Sequence, residues 1–171
     1  MKTMVLSFAL LFVCGIAAAQ DKDALPARVT VHWAPVSELS EVKKNSFGRG
    51  WMKPEEWMQT LGDYLRKRAD DILPPGQQLD VTIDDIDLAG DFEPWHGPRA
   101  EDIRFMRDRY PPRLDLHYRL TDTNGAVVHE GVRKLRDGAY LQRTVTTSTD
   151  PLRYDKRLIA DWLLREFKPK S

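Results

Sequence analysis

The segment RVTVHW, residues 28–33, alternates apolar and polar side chains, which is the pattern of a half-buried β-strand. Val29, Val31 and Trp33 fall on one face of this strand and are expected to point towards the core. The next stretch, residues 36–50, is polar and is predicted to be a loop.

Two helices are predicted from apolar residues spaced three and four positions apart. The first begins near Pro54, a residue suited to the first turn of a helix, and ends at Leu73 before the sequence PPG. Asp150 and Pro151 cap the second helix, which runs towards the end of the sequence. The residues predicted to face the core are Trp57, Leu61, Tyr64 or Leu65, the aliphatic stem of Arg68, and Ile72 in the first helix, and Leu152, Ile159, Trp162, Leu163 and Phe167 in the second.

A second strand is predicted to begin at Gln78 and to contain an irregularity. Apolar residues alternate up to Ile83 and resume at Ile86 on the other parity. A β-bulge inserts one extra residue into a strand and shifts the alternation in this way. The sequence therefore predicts a bulge near Asp84 and Asp85.

A β-hairpin is predicted from the segment RLDLHYRL at residues 113–120, the turn DTNG and the segment AVVHEGVRKL. A three-residue loop, 123–125, pairs Leu116 with Val132, whereas a two-residue loop sets Leu116 opposite Arg133. Register follows the buried face of a strand, so the three-residue loop is the preferred interpretation.

The segment between the second strand and the hairpin, residues 91–112, is too long to be a bare loop. Ile103, Met106 and Tyr110 lie at helical spacing, so a short helix is predicted within this insertion. The β-branched residues of 144–149 predict a short edge strand. The resulting order, β-α-β-(short helix)-β-β-(β)-α, indicates an α+β fold, a two-layer sandwich with a mostly antiparallel sheet and two main helices.

Residues 1–20 have the pattern of a cleaved secretory signal peptide, with Lys2 at the basic start and three alanines near the end. The apolar stretch between them is shorter than the roughly 20 residues that a transmembrane helix needs. Bulky Val13 argues against a lipid attachment site at Cys14, the one cysteine of the chain. Cleavage leaves residues 21–171 as a single cysteine-free domain, with no further transmembrane segment, in the periplasm or secreted.

The charge balance argues against nucleic-acid binding. The 171 residues include 26 basic and 26 acidic side chains, and removal of Lys2 with the signal peptide leaves 25 against 26, a net charge of −1. Proteins that contact nucleic-acid phosphates carry a clear basic excess. The chain also lacks G-x-S-x-G, H-E-x-x-H and a glycine-rich phosphate loop, which weighs against common enzyme classes. No cofactor is predicted.

The densest polar pattern is TIDDIDLAGDFEPWH, residues 82–96. Counted from Asp85 as an EF-hand loop, it has Ala89 at position 5 and His96 at position 12, so the calcium pattern is broken. Asp85 and Asp87 share one strand face about 7 Å apart, within the range of paired catalytic carboxylates. They are the candidate metal ligands for a metal-assisted hydrolase, and a solvated acidic strand face is the alternative.

Histidines provide a further candidate metal site. His32, His117 and His129 each fall on the predicted outward face of a strand. Were these strands adjacent, the three imidazoles would suit zinc or copper. No short histidine spacing supports that site, and ordinary surface histidines are the alternative.

Aromatic residues in predicted loops indicate a binding surface. Trp51 and Trp95 lie among glycine, proline and charged residues, where an exposed aromatic side chain serves recognition or caps the rim of the core. The surface predicted to contact a ligand or partner comprises Asp91, Glu93, Trp95 and His96, the last three being the most exposed, together with Trp51. The function predicted is a non-enzymatic binding or interaction domain of the bacterial envelope, whose partner is an envelope protein or a small ligand.

Three segments carry a resemblance to a known family: LPPGQQLDVTIDDIDLAGDFEPW, DIRFMRDRYPPRLDLHYRLTDTNGAVV and YDKRLIADWLLREF. They resemble an exported bacterial family known as domain of unknown function 3016. Its members share a signal peptide, L-P-P-G followed by D-x-D-L-A-G, Y-P-P-R before the hairpin, and Tyr-x-Lys-x-x-x-x-x-Trp in the final helix. The resemblance implies an exported, single-domain protein and brings no catalytic residue.

Overall fold

The computed structural model describes residues 26–45, 52–97, 101–143 and 148–168. The strands are β1 (Val29–Trp33), β2 (Gln78–Asp87), β3 (Asp91–Phe92), β4 (Arg104–Phe105), β5 (Arg113–Thr121) and β6 (Val127–Arg136). The helices are α1 (Ser40–Lys44), α2 (Pro54–Asp70) and α3 (Arg153–Phe167), and two 3₁₀ turns cover Val36–Glu38 and Pro94–His96. The predicted signal peptide, Trp51 and residues 144–147 of the predicted edge strand lie outside the described residues.

Four strands form the main sheet in the order β1-β2-β5-β6. The first pair is parallel, and the other two pairs are antiparallel. A parallel neighbour requires a long crossover connection, which α2 provides between β1 and β2. Helices α2 and α3 pack against each other and against the sheet through one hydrophobic core. The predicted α+β class, with a mostly antiparallel sheet, is confirmed.

The predicted apolar faces form this core. All five residues predicted to face inward at the final helix are buried. Of the two alternatives in α2, Leu65 is buried and Tyr64 is half-buried. The predicted bulge in β2 is also confirmed, because the pairing with β5 shifts between Ile83 and Asp85. The extra residue allows both Ile83 and Ile86 to face the core.

The predicted loop at 36–50 is wrong for its first half, which contains a 3₁₀ turn and helix α1. The start of α1 is stabilised from a distance: Asp85 accepts hydrogen bonds from the backbone N–H (2.7 Å) and the hydroxyl (2.6 Å) of Ser40. A carboxylate at a helix N-terminus satisfies backbone donors that would otherwise lack a partner. Because this capping group lies 45 residues away in sequence, the local sequence contains no pattern that predicts the helix.

The predicted short helix in the insertion is also wrong. The described residues form a two-stranded sheet in which Asp91 pairs with Phe105 and Phe92 with Arg104. The spacing of Ile103 and Met106 suggested a helix, yet Ile103 is 51% exposed and contributes little to the core. The conformation is decided instead by the buried side chain of Arg104, whose hydrogen-bond partners lie outside the insertion.

The predicted three-residue loop at 123–125 is confirmed, since Thr121 pairs with Val127 and the N–H of Asp122 donates to the carbonyl oxygen of Ala126 at 2.9 Å. The register beyond the loop is wrong by one residue, because a shift between Leu120 and Thr121 sets Leu116 opposite Arg133 and not opposite Val132. The prediction assumed that the valines of β6 are buried, but Val132 is 65% exposed on the open face of the sheet. Arg133 occupies the helix-facing side because Glu166 of α3 accepts two hydrogen bonds from it, at 2.9 and 2.5 Å. A charged side chain with such a partner is accommodated at the edge of a core.

The same shift moves His129 to the face opposite from that predicted. His129 lies on the helix-facing side, where its Nδ1 is 2.7 Å from the hydroxyl of Tyr118. Glu130 lies on the open face and forms an ion pair with Arg119 at 3.2 Å.

Candidate functional site

The end of β2 is held by a buried arginine. The Nε of Arg104 donates to the carbonyl oxygen of Ala89 (2.7 Å), and its Nη2 donates to those of Leu88 (2.9 Å) and Gly90 (2.9 Å). The side chain of Arg104 is 7% exposed. Leu88, Ala89 and Gly90 follow β2 and have no strand partner for their carbonyl oxygens. One guanidinium thus satisfies all three of these acceptors.

Two buried carboxylates complete this arrangement. Glu41 of α1 pairs with Arg104 at 2.7 Å and accepts a hydrogen bond from the backbone N–H of Leu88 at 3.0 Å. Asp155 of α3 accepts one from the backbone N–H of Ala89 at 3.0 Å. We call Glu41, Arg104 and Asp155 the buried charge cluster. Through these contacts the cluster links α1, α3 and the insertion to the backbone of residues 88–90.

Asp155 titrates abnormally in this setting. Burial raises the pKa of its carboxyl group to about 7, although the hydrogen bond from Ala89 and the charge of Arg104 act in the opposite direction. Glu41 adds to the increase, since it is a second carboxylate near the same arginine. The cluster therefore contains one more acidic group than its single cation neutralises.

Gly90 follows the cluster in a conformation that suits glycine, with a φ of +81°. A Cβ atom here would lie 2.9 Å from the carbonyl oxygen of Phe105 and 2.8 Å from the sulfur of Met106. The sequence DLAG is therefore accounted for by close packing and backbone anchoring of the insertion.

The candidate metal ligands Asp85 and Asp87 have structural partners. Asp85 binds the start of α1, as described above, and Asp87 forms ion pairs with Lys44 (2.6 Å) and Arg113 (3.0 Å). No group of three or more histidine, cysteine, aspartate or glutamate side chains suited to a metal ion occurs among the described residues. No observation favours the hydrolase hypothesis.

The histidines considered as a metal site do not share a location. His32 lies 3.6 Å from Asp80 and His117 lies 3.0 Å from Asp84, both on the open face of the sheet. His129 faces the helices. The strands β1, β5 and β6 that carry them are not all neighbours, so the geometry separates the imidazoles.

Glu93 is the hub of the insertion and is fully buried, with 0% exposure, so the prediction that it lies on the surface is wrong. Its carboxylate accepts hydrogen bonds from Arg107 (2.8 Å), Arg109 and the hydroxyl of Tyr110 (3.0 Å), and His96 Nε2 lies 2.8 Å away. A buried carboxylate is stable when cations and donors surround it in this way. The hub gives order to a segment with little regular secondary structure.

The titration of Glu93 reflects this environment. Desolvation alone would raise its pKa, but the hydrogen bonds from Arg109, Tyr110 and His96 and the charge of Arg107 outweigh it and lower the pKa to about 2. Glu93 is therefore a permanent anion at physiological pH, and its role is to orient the side chains around it.

An exposed row of planar side chains lies around this hub. The ring centroids of Trp95 and His96 are 6.0 Å apart, and those of His96 and Phe105 are 5.4 Å apart. The guanidinium carbon of Arg107 lies 5.4 Å from the centroid of the Phe105 ring. Trp95 is 66% exposed, and the side chain of His96 is 45% exposed. We call Trp95, His96, Phe105 and Arg107 the aromatic row.

A cleft with a volume of about 560 Å³ borders the row and shares Trp95 with it. Its other lining residues are Lys44, Asn45, Asp91, Phe92, Pro94 and Glu101. The predicted site residue Asp91 is half-buried here and accepts a hydrogen bond from the backbone N–H of Phe92 at 2.8 Å. Ligand pockets in proteins range from about 300 to 1,000 Å³ and combine apolar walls with a few polar groups, a description that this cleft fits.

Trp95 and Asp91 both line the cleft, and His96 contacts the buried Glu93 at 2.8 Å. That these residues form a contact surface stays a prediction. Sequence reasoning missed Arg104, Arg107 and Arg109, because arginines in a polar segment resemble ordinary solvated charge. No local spacing indicates their role, since the carboxylate partner of Arg104 lies 63 residues away in sequence and that of Arg107 and Arg109 lies 14 and 16 residues away.

Comparison with known proteins was made against families, curated proteins and solved structures. A family model described as Protein of unknown function (DUF3016) matches residues 27–165. The chain belongs to this family. The match spans all six strands and the DUF3016 insertion that carries the aromatic row. Neither the curated proteins nor the solved structures provided a significant match. Over the described ranges of this DUF3016 chain, no helix is long and apolar enough to cross a membrane.

Proposed function

We propose that this DUF3016 protein is a non-enzymatic binding domain of the bacterial envelope, exported to the periplasm or secreted after cleavage of residues 1–20. Its contact surface is the insertion, with Trp95 as the central residue and the neighbouring cleft as the pocket for an envelope protein segment or a small ligand. The observation that carries the proposal is the 66% exposure of Trp95 above a hub whose carboxylate is fully buried.

A large exposed aromatic side chain on an ordered support is suited to binding. Tryptophan and arginine are the residues most enriched among those that dominate binding energy at interfaces. The row places both types side by side, with Arg107 fixed by Glu93 at 2.8 Å. Because the support is ordered before binding, little conformational entropy is lost when a ligand docks.

Replacement of Trp95 by alanine tests the binding role. We expect Trp95→Ala to keep the melting temperature of the wild type, since the side chain is mostly exposed, and to lose the envelope proteins or ligands that wild-type protein retains in cross-linking and pull-down from envelope fractions. Val132→Ala, which truncates a 65% exposed residue on the open face of the sheet, is the matched control. Identical partners for wild type and Trp95→Ala would contradict the proposal.

The proposed location has its own test. Full-length protein expressed in a Gram-negative host is expected in the osmotic-shock fraction, with a mass that lacks the first 19 or 20 residues, because the alanines at 17–19 supply the small side chains that signal peptidase needs. Retention of an intact N-terminus in the cytoplasmic fraction would exclude export by this route.

A further inference from the structure

We propose that Arg107 and Arg109 form a binding site for an oxyanion, a carboxylate or phosphate group, on the insertion. This inference deepens the proposed function, because Arg107 belongs to the aromatic row and an anion bound there lies beside the surface that contains Trp95. The site can nevertheless be tested with simple anions, without knowledge of the biological ligand.

The two arginines share one buried carboxylate. Each donates one terminal nitrogen to Glu93, Arg107 to Oε2 at 2.8 Å and Arg109 to Oε1. Their side chains are 45% and 57% exposed. A guanidinium has five N–H donors, so each of these partly exposed groups retains donors that do not contact Glu93.

The ion pairs of the two arginines involve a single carboxylate. Among the described residues, Glu93 is the one carboxylate that forms an ion pair with Arg107 or Arg109. Asp108, which lies between them in the sequence, is exposed and forms no ion pair with either arginine among the described residues, so the two cations share Glu93. Neutralisation of Glu93 alone needs a single arginine, with the hydroxyl of Tyr110 and the imidazole of His96 already supplying further contacts. The second cation is therefore available to an external anion.

Both guanidinium groups are held in place by more than their contact with Glu93. Arg107 lies over the ring of Phe105 at 5.4 Å, and Arg109 lies over the ring of Tyr110 at 4.8 Å. Stacking on an aromatic ring and a bond to a fixed carboxylate restrict the rotation of each side chain. A planar, oriented guanidinium recognises carboxylate or phosphate oxygens through paired N–H donors. These contacts distinguish the pair from freely rotating surface arginines.

Titration followed by NMR tests the site on the full mature chain. The Nε–Hε resonances of Arg107 and Arg109, assigned from their loss in the Arg→Lys variants, are monitored while sodium phosphate is added in one arm and sodium acetate in the other. Sodium chloride at matched ionic strength controls for screening. We expect saturable shifts of both resonances in at least one arm, and the arm that saturates at lower concentration identifies the class of anion.

Variants define the requirement for the guanidinium. Arg107→Lys and Arg109→Lys preserve the charge and are each expected to weaken anion binding several-fold, because an ammonium lacks the planar paired donors. Arg119→Lys, which changes a 63% exposed arginine on the open face of the sheet, is expected to bind as the wild type does. Shifts that fail to saturate in both arms, equal shifts at Arg119, or unchanged binding in both lysine variants would each overturn the anion site.

The failure of this site and that of the proposed function are separable. Loss of partners in Trp95→Ala without any anion binding would overturn the anion site and leave the binding function in place. Saturable anion binding with unchanged partners in Trp95→Ala would support the anion site and contradict the binding role of Trp95.

Discussion

Replacement of Asp155 by asparagine is predicted to remove most of the decline in stability between about pH 5 and pH 8. The carboxyl group of Asp155 is buried beside Arg104, which already pairs with Glu41 at 2.7 Å. When Asp155 is protonated, the buried charge cluster contains one cation and one anion. Ionisation of Asp155 adds a second anion that has no cation of its own, so the folded state resists this ionisation.

The magnitude follows from the two pKa values of this group. Asp155 has a pKa of about 7 in the folded chain and about 3.9 in an unfolded chain. At about 1.4 kcal/mol for each pKa unit, the difference corresponds to roughly 4 kcal/mol. Because the folded pKa is the higher one, the unfolded chain releases its proton first as the pH rises. The free energy of unfolding therefore falls between about pH 4 and pH 7, by roughly 3 kcal/mol over the interval from pH 5 to pH 8, and then levels off.

Urea unfolding monitored by tryptophan fluorescence at several pH values measures this contribution. Asp155→Asn retains an oxygen for the N–H of Ala89 but has no ionisable proton, so its stability is expected to vary less with pH than that of the wild type. Asp115→Asn, at a surface carboxylate paired with Lys134 at 3.2 Å, is the matched control and should follow the wild-type profile. Parallel profiles for wild type and Asp155→Asn, or a wild type that becomes more stable towards pH 8, would refute the reasoning.

Three further predictions concern the anchoring of the insertion. Gly90→Ala is expected to cost about 2 kcal/mol or more of unfolding free energy, since a Cβ would meet the backbone oxygen of Phe105 at 2.9 Å where φ is positive. Arg104→Met is expected to cost about 3–5 kcal/mol in urea unfolding, because it leaves Glu41 buried without its cation. Glu93→Gln is expected to lower the melting temperature at neutral pH and to reduce the loss of stability on acidification. The depressed pKa of Glu93 stabilises the fold above the unfolded pKa of about 4.3, and this stabilisation is lost as the pH falls through about 2.

Each of these changes has a control at an unconstrained position. Gly138→Ala introduces a Cβ with no atom within 4 Å, Arg119→Met removes an exposed cation, and Glu130→Gln removes an exposed anion. If the variants of Gly90, Arg104 and Glu93 lose no more unfolding free energy than their controls, these residues do not anchor the insertion. Unchanged acid unfolding in Glu93→Gln would exclude Glu93 as a source of the acid sensitivity.

Local periodicity was sufficient for the elements that build the main core. The alternation in β1, the helical spacing in α2 and α3, and the parity change at Asp84 and Asp85 each predicted a feature that the structure contains. These patterns are informative because burial of one face imposes a period of two on a strand and 3.6 on a helix. The length of the segment 91–112 likewise predicted an ordered insertion, and its loop aromatic Trp95 is exposed as predicted.

The remainder was decided by partners far apart in the sequence. Helix α1 depends on a hydrogen bond to Asp85. The register of β6 places Arg133 on the helix-facing side, where Glu166 pairs with it. The insertion depends on the contacts of Arg104 and Glu93. A charged residue has no period that reveals its environment, since the same side chain is stable in water or in a buried cluster that satisfies it. Whether Glu93 lies at the surface or in the interior is therefore determined by tertiary structure, which gathers two arginines, a tyrosine and a histidine around one carboxylate.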